Sequence, residues 1–175
     1  MKKGILIFIV ALGLIIPRKS FSQTLNYKLA AIYVYNFTQY IEWPKNDKAT
    51  EFIIGVYGNT PLTDELKKLV IGKHVDQKPI VIKVLKSLDE AGDCSIVFVA
   101  PSENGNLKKI SDQFKGKHVL LICDKEGLCK KGASISVYLD EDDDYKTKFE
   151  LNKQYIEYNG LLISKSLLNL AAKVD

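Results

Sequence analysis

The chain has 175 residues, of which 46% are hydrophobic and 26% charged, and its formal net charge is +4. This composition is typical of a globular protein and excludes disordered, collagen-like and fibrous classes. The first 22 residues carry the charge excess, since 21 basic and 21 acidic residues follow them, and the only arginine is Arg18. Without guanidinium groups in its body, the chain is not expected to bind nucleic acid.

Residues 1–22 have the features of a secretory signal peptide. Two lysines precede an apolar run from Ile5 to Ile16, and small residues end the segment at 20–22. The alternative is a membrane anchor, but the run is shorter than the roughly 20 residues that span a bilayer. We therefore expect cleavage near Gln23 and an exported mature domain over residues 23–175.

An aromatic helix opens the mature chain. Apolar and aromatic residues recur at helical spacing from Leu25 to Trp43, and Pro44 limits the helix. They surround much of its circumference, so the helix should be covered on more than one side. Aromatic residues are over-represented in binding hot spots, which makes an interface with a partner or a second copy one interpretation and core packing the other. The candidate interface residues are Tyr33, Tyr35, Phe37 and Trp43.

Two similar units follow, and their Gly-Lys-His-Val tetrapeptides start 44 residues apart, at Gly72 and Gly116. Each unit has a strand, a turn with a proline, a helix that ends near the glycine, and a second strand. Near-continuous apolar strands that alternate with amphipathic helices predict a parallel sheet covered on both faces, and the glycines suit helix C-caps. The predicted elements are strands 52–57, 80–85, 95–100 and 119–123, and helices 62–71 and 106–114.

The C-terminal part has a different pattern. Two strands, 133–139 and 146–151, flank the acidic run 140–144, which is typical of a hairpin with a solvated tip. A short helix over 152–158 and a final strand and helix within 161–174 complete the chain. No linker separates these parts, so we expect a single α/β domain.

The turns after the first strand of each unit form a candidate ligand edge. In a parallel sheet both turns leave the same edge, where open α/β sheets bind ligands. The alternative is that Thr60 and Ser102 only cap the helices that follow. The candidate residues are Gly58, Asn59, Thr60, Pro101 and Ser102.

Catalytic machinery is not evident. His74 and His118 occupy equivalent turns, and neither has a histidine or glutamate at the spacing that binds zinc. The acidic run 140–144 lacks the central glycine and terminal glutamate of a calcium loop. The sequence also has no nucleophile elbow and no phosphate loop. We expect no catalytic residues, no metal and no cofactor.

Six segments spread over the mature chain share one resemblance, namely Ala30–Phe37, Glu42-Trp43-Pro44, Phe52–Gly58, Asp93–Val99, Val119–Asp124 and Phe149–Leu168. Together they resemble the YfiR family of periplasmic regulatory proteins. The resemblance implies a three-layer α/β/α sandwich with a mostly parallel central sheet and a C-terminal antiparallel hairpin. It also implies a non-enzymatic regulator that binds and represses the periplasmic sensor domain of an inner-membrane signalling protein, of diguanylate cyclase or histidine kinase type.

Two other hypotheses remain beside this one. The first is a periplasmic small-molecule-binding domain that uses the candidate ligand edge, and the second is an enzyme, for which the sequence offers no constellation of residues. A homodimer is compatible with either binding function.

Three cysteines allow at most one intramolecular disulfide, whereas the family's namesake has two. Cys123 and Cys129 bracket a polar loop with a glycine, which can bring them within bonding range, and two reduced thiols are the alternative. Cys94 opens its strand while Cys123 closes the next, so these two should lie near opposite sheet edges. We expect a Cys123–Cys129 disulfide and a buried Cys94, with an intermolecular bridge at Cys94 as the minority interpretation.

Overall fold

A computed structural model describes residues 24–46 and 48–175 of the chain. The predicted signal peptide, residues 1–22, lies outside the described residues. The helices are α1 Tyr27–Tyr40, α2 Leu62–Leu69, α3 Leu107–Phe114, α4 Lys153–Tyr158 and α5 Lys165–Leu170, and the 3-10 turns are Leu88–Ala91, Pro101–Asn106 and Cys129–Lys131. The strands are β1 Ile41–Glu42, β2 Phe52–Tyr57, β3 His74–Val75, β4 Lys78–Leu85, β5 Cys94–Val99, β6 Leu120–Cys123, β7 Ile135–Asp140, β8 Lys146–Leu151, β9 Leu162–Ile163 and β10 Lys173–Val174.

Eight strands form one sheet in the order β10-β8-β7-β6-β5-β2-β4-β3, and β1 pairs with β9 separately. Neighbours in the large sheet are parallel except β7 with β8 and β3 with β4. In the β7–β8 hairpin Ile135 lies opposite Leu151 and Asp140 opposite Lys146. The mostly parallel sheet and the C-terminal hairpin are therefore confirmed.

The central strands are buried on both faces. In β5, Ile96 and Phe98 point to one hydrophobic cluster and Val97 and Val99 to another, and all four are fully buried. Residues of α1, α2, α4 and α5 belong to the first cluster, whereas α3 supplies the second. Because a parallel sheet must be covered on each side, these helices complete the predicted three-layer arrangement.

The boundaries differ from the sequence prediction where local propensity is weak. The helix predicted over 106–114 begins one residue later, at Leu107, after a 3-10 turn that starts at Pro101. Asn104, Gly105 and Asn106 are poor helix formers, which explains why the regular helix starts only beyond them. The two-residue strands β1, β3 and β10 were not predicted, since such short segments carry no periodicity.

The two Gly-Lys-His-Val turns begin alike and then diverge. Gly72 and Gly116 both have φ of +69°, the left-handed conformation of a helix C-cap. His74 then opens the edge strand β3, whereas the ring Nδ1 of His118 lies 2.8 Å from the carbonyl oxygen of Asn159. The buried Asn159 side chain also accepts a 2.7 Å hydrogen bond from the Gly116 amide, so the second turn is fastened to the end of α4.

Gly160 next to this turn is expected to resist substitution more than Gly72 does. Both have a φ near +70°, but a Cβ on Gly160 would lie 2.7 Å from the His118 ring, while a Cβ on Gly72 meets nothing within 4 Å. Gly72→Ala should cost about 1 kcal/mol for the left-handed backbone, and Gly160→Ala about 2–4 kcal/mol because the ring must also move. Urea unfolding of the two variants measures the difference. Equal costs would show that the His118 ring yields freely.

Candidate functional site

The strand order reverses at β2, the first long strand of the sheet. From β2 the chain passes to β4 on one side and then returns to β5 on the other. In open α/β sheets the carboxyl ends of the strands at such a reversal border a crevice that binds ligands. The turns that follow β2 and β5 lie at this position.

Contact between these two turns is tight at Gly58. Its φ is +90°, and a Cβ there would lie 2.8 Å from the Cβ of Ala100 and 3.0 Å from the Cγ of Glu103. The Ala100 amide donates a 2.8 Å hydrogen bond to the carbonyl oxygen of Tyr57. Any side chain at position 58 would collide with the second turn, so only glycine fits there. These contacts show that the structure brings the two predicted turns together at one edge of the sheet.

The other predicted edge residues have separate roles. Thr60 is buried, and its hydroxyl accepts a 3.3 Å hydrogen bond from the amide of Leu62 at the start of α2. Ser102 is exposed and contacts the carboxylate of its neighbour Glu103 rather than a helix amide. Asn59 and Pro101 are also exposed. Helix capping therefore accounts for Thr60 but not for Ser102.

A polar group at this edge, here called the edge cluster, consists of Tyr27, Thr60, Asn104 and Asp124. The Tyr27 hydroxyl donates a 3.2 Å hydrogen bond to Oδ2 of Asp124, the residue after β6. Within the described residues, Oδ1 of Asp124 and Oδ1 of Asn104 are buried and have no hydrogen-bond partner. Unpartnered buried acceptors are costly, and a ligand that donates hydrogen bonds would relieve that cost.

Burial sets the electrostatics of the edge cluster. It raises the pKa of Asp124 to about 6, against the lowering effect of the nearby Tyr27 hydroxyl, the Asp124 backbone and the Asn104 side chain. Burial and the Asp124 charge together raise the pKa of Tyr27, while Thr60 lowers it. The carboxyl group can therefore change charge just below neutral pH. Among residues 24–46 and 48–175, no group of three or more His, Cys, Asp or Glu side chains is placed to hold a metal ion.

Part of the edge cluster could be found from sequence and part could not. Asn104 and Asp124 follow strands of the same parallel sheet, so the carboxyl-edge argument extends to both. Tyr27 comes from the start of α1, and nothing in the sequence indicates that this end of the helix lies over the sheet edge.

The predicted interface aromatics mostly pack inside the chain. Phe37 is buried, and its ring centroid lies 5.2 Å from that of Phe149. Tyr33 is half-buried and packs on the same two rings. Trp43 is half-buried, lies edge-on to Phe52, and donates a 3.1 Å hydrogen bond to the carbonyl oxygen of Ser95.

Tyr35 differs from the other predicted interface aromatics because the neighbour of its ring is a lysine. It is half-buried, and the Lys73 ammonium lies 5.5 Å from its ring centroid, in the range of a cation–π contact. These positions leave Phe37 with no surface for a partner. The interface role of Tyr33, Tyr35 and Trp43 stays a prediction.

All three cysteines are buried free thiols in the structure. Cys123 and Cys129 lie in the same hydrophobic cluster, and burial raises the pKa of both thiols. A negative charge on Cys123 would raise the pKa of Cys129 further, which reflects their proximity. Burial raises the pKa of Cys94 to about 11. The Cys123–Cys129 disulfide is not formed here and stays a prediction.

Replacing Asp124 by Asn is expected to stabilise the protein at neutral pH. The folded pKa of about 6 lies above the usual value of about 3.9, so the free energy of unfolding falls as pH rises from about 4 to 6. Asp124→Asn should therefore be about 1–2 kcal/mol more stable than the parent at pH 7 and equal to it at pH 4. Urea unfolding across this range measures it. Glu141→Gln, at an exposed carboxylate, is the matched control, and a constant difference between Asp124→Asn and the parent would contradict the assignment.

A disulfide between Cys123 and Cys129 is expected in protein isolated from an oxidising compartment without reductant. Peptide mass spectrometry of the non-reduced, alkylated protein should then recover the two residues in one linked species. Cys94 should be recovered as an alkylated thiol after unfolding. A linked peptide that contains Cys94 would contradict this pairing.

No match was found among curated proteins. Several solved structures match this chain, and two of them serve as examples. A conserved domain protein from Vibrio cholerae gives a TM-score of 0.54 at 10% identity, over 86% of this chain and 60% of that one. An ABC domain from Streptococcus pneumonia in complex with L-Trp gives 0.48 at 13% identity, over 71% and 55%. The chain therefore spans little more than half the length of these structures, and the first supports the α/β fold alone.

The sequence profile of one family covers almost all of the described fold. The profile described as YfiR/HmsC-like matches residues 27–172, from the start of α1 to the residue before β10. Members of that family are periplasmic regulators of signalling. No helix in the described part of the chain is long and apolar enough to cross a membrane. The chain belongs to the YfiR/HmsC-like family.

Proposed function

We propose that this chain is a non-enzymatic periplasmic regulator that binds and represses the sensor domain of a membrane signalling protein, of diguanylate cyclase or histidine kinase type. The observation that carries the proposal is the family match over residues 27–172. The proposal includes export by the segment 1–22 and action as one domain over residues 23–175.

The outer face of α1 supports a binding role. Leu29 and Ile32 lie one turn apart on this helix, and each is 37% exposed although most apolar side chains of α1 are buried. Tyr33 and Tyr35 follow Leu29 and Ile32 at spacings of four and three residues, so their exposed parts border the same face. Leu29, Ile32, Tyr33 and Tyr35 form the α1 patch. Its apolar centre is bordered by Tyr33, whose hydroxyl donates to the carbonyl oxygen of Thr147, and by Tyr35, whose ring lies near Lys73.

Repression by such a regulator is a shift of population. If the α1 patch binds the inactive conformation of the sensor domain more tightly than the active one, the bound receptor moves towards the inactive state. An affinity ratio of about 10⁴ is needed to change a 1:99 population into 99:1. A ligand or redox event that lowers the regulator's affinity for the inactive receptor would shift the receptor population back towards the active state.

Photo-crosslinking in cells tests this function. A photoreactive amino acid replaces Ile32 at the α1 patch, and the matched control replaces the exposed Lys109 on α3, which covers the opposite face of the sheet. We expect the Ile32 position to capture one inner-membrane protein with an exported sensor domain and the Lys109 position to capture none. Ile32→Glu should weaken binding of that purified domain by about tenfold with little loss of stability, since the site is partly exposed.

Self-crosslinks alone at Ile32 would contradict the receptor-binding function. Such a result would assign the α1 patch to a homodimer. Equal capture of the receptor from Ile32 and Lys109 would show that the contact is not specific to this helix.

A second candidate function is binding of a small molecule at the carboxyl edge of the sheet. It is favoured by the two unpartnered acceptor oxygens of Asp124 and Asn104 at the reversal of strand order. Their chemistry suits a ligand that donates hydrogen bonds, such as an amine. The two functions are compatible, since the edge cluster and the α1 patch share no residue, although both include residues of α1.

A further inference from the structure

The last long strand on one side of the sheet, β4, is only half covered. On its outer side β3 provides two residues, with His74 opposite Pro79 and Val75 opposite Lys78. The final bond on this side runs from the Ile80 amide to the carbonyl oxygen of Lys73, at 3.0 Å. Within the described part of the chain, no strand pairs with this side of β4 beyond Ile80.

The N–H and C=O groups of β4 alternate in direction, and this alternation shows which of them the short β3 leaves unpaired. Successive residues of a strand direct their N–H and C=O groups to opposite sides. The Ile80 amide points towards β3, so the backbone groups of Ile82 and Val84 point the same way and lie past its end. Val81 and Lys83 face β2 and belong to the parallel ladder. The open edge of β4 therefore presents the backbone of two successive outward-facing residues.

An apolar groove lies beside this edge. Its volume is about 350 Å³, and Val70, Ile71, Ile80 and Ile82 supply its apolar lining. Ile71 is 79% exposed and Val84 is 51% exposed. Exposed apolar side chains next to unpaired backbone are the features that proteins normally avoid at a sheet edge, because they invite another strand.

The ionisable side chains that line the groove are all basic. Lys67, Lys73 and His74 line it, and none of its lining residues is a carboxylate. The Lys73 ammonium also lies 5.5 Å from the centroid of the Tyr35 ring, so this side of the groove adjoins α1. The rim therefore attracts acidic side chains and repels basic ones.

We propose that the open edge of β4 binds an extended segment of another protein that alternates acidic and apolar residues, added to the sheet as a further strand. The backbone of Ile82 and Val84 would pair with the segment, its apolar side chains would enter the groove, and its carboxylates would meet Lys67 and Lys73. A second copy fits worse, since the strand that it would add is β4 itself, whose charged residues are Lys78 and Lys83 and which has no carboxylate. The inference goes beyond the proposed function, because it concerns the backbone edge of β4 and its groove, which adjoin the α1 patch where Lys73 lies near Tyr35.

A short synthetic peptide that alternates glutamate and valine tests this on the mature protein. We expect saturable binding by fluorescence anisotropy that weakens with salt, and much weaker binding of the matching lysine–valine peptide. Hydrogen exchange should show new protection at the Ile82 and Val84 amides, with Val81 and Lys83 already protected by β2. Lys73→Glu should reduce affinity by about tenfold, and the charge-matched Lys109→Glu on the opposite face should not.

Val84→Asp provides an independent variant, because the site is half exposed and the added charge lies at the open edge. It should abolish peptide binding while the thermal unfolding midpoint stays near that of the parent. Equal binding of the two peptides, or new protection elsewhere in the sheet, would overturn the proposal. Self-association of the protein that Val84→Asp abolishes would overturn it too and assign the edge to a second copy. None of these outcomes depends on receptor capture through the α1 patch.

Discussion

The need to cover a parallel sheet on both faces organises this structure. Residues along β5 and β6 are apolar on both sides, so neither face can be left in water. The crossover from β2 to β4 places α2 on one face, and the crossover from β5 to β6 places α3 on the other. These two connections proceed in opposite directions from β2, and that reversal opens the crevice where Thr60, Asn104 and Asp124 meet. The edge cluster is thus a consequence of how the core is covered.

Covering the sheet also buries most of the aromatic surface of α1. Phe37 and Tyr33 pack on Phe149, and Trp43 packs on Phe52 while its indole N–H satisfies a carbonyl of β5. Such edge-on and tilted ring contacts add to the free energy of burial and hold the helix against the sheet. A helix so firmly anchored presents its outer face in a fixed position, and a preorganised surface binds a partner at lower entropic cost.

Sequence reasoning was most successful where hydrophobic periodicity is long and local. The bounds of β2 and β8 agree with the prediction, and the parallel core and the C-terminal hairpin follow from the same patterns. The two Gly-Lys-His-Val turns show the limit, because identical residues take different roles at His74 and His118. The difference comes from Asn159, which lies 41 residues after His118 and packs against the second turn. Neither tetrapeptide encodes that contact. At the candidate site the sheet edge and Thr60 were predictable, whereas Tyr27 depends on how α1 docks.

The two ends of the sheet are protected to different degrees. At the β8 end the last residues of the chain form β10, and Asp175 donates its amide to Leu151 and accepts one from Lys153. The two-residue β10 covers Glu150 and Leu151, and the Tyr33 hydroxyl donates a hydrogen bond to the carbonyl oxygen of Thr147 further along β8. At the β4 end, the short β3 covers only the first half of the strand. Aggregation through the remaining half is opposed by the basic rim, because a like-charged copy is repelled. The same rim leaves the edge accessible to an acidic strand, so protection against self-association and selectivity for a partner arise from one distribution of charge.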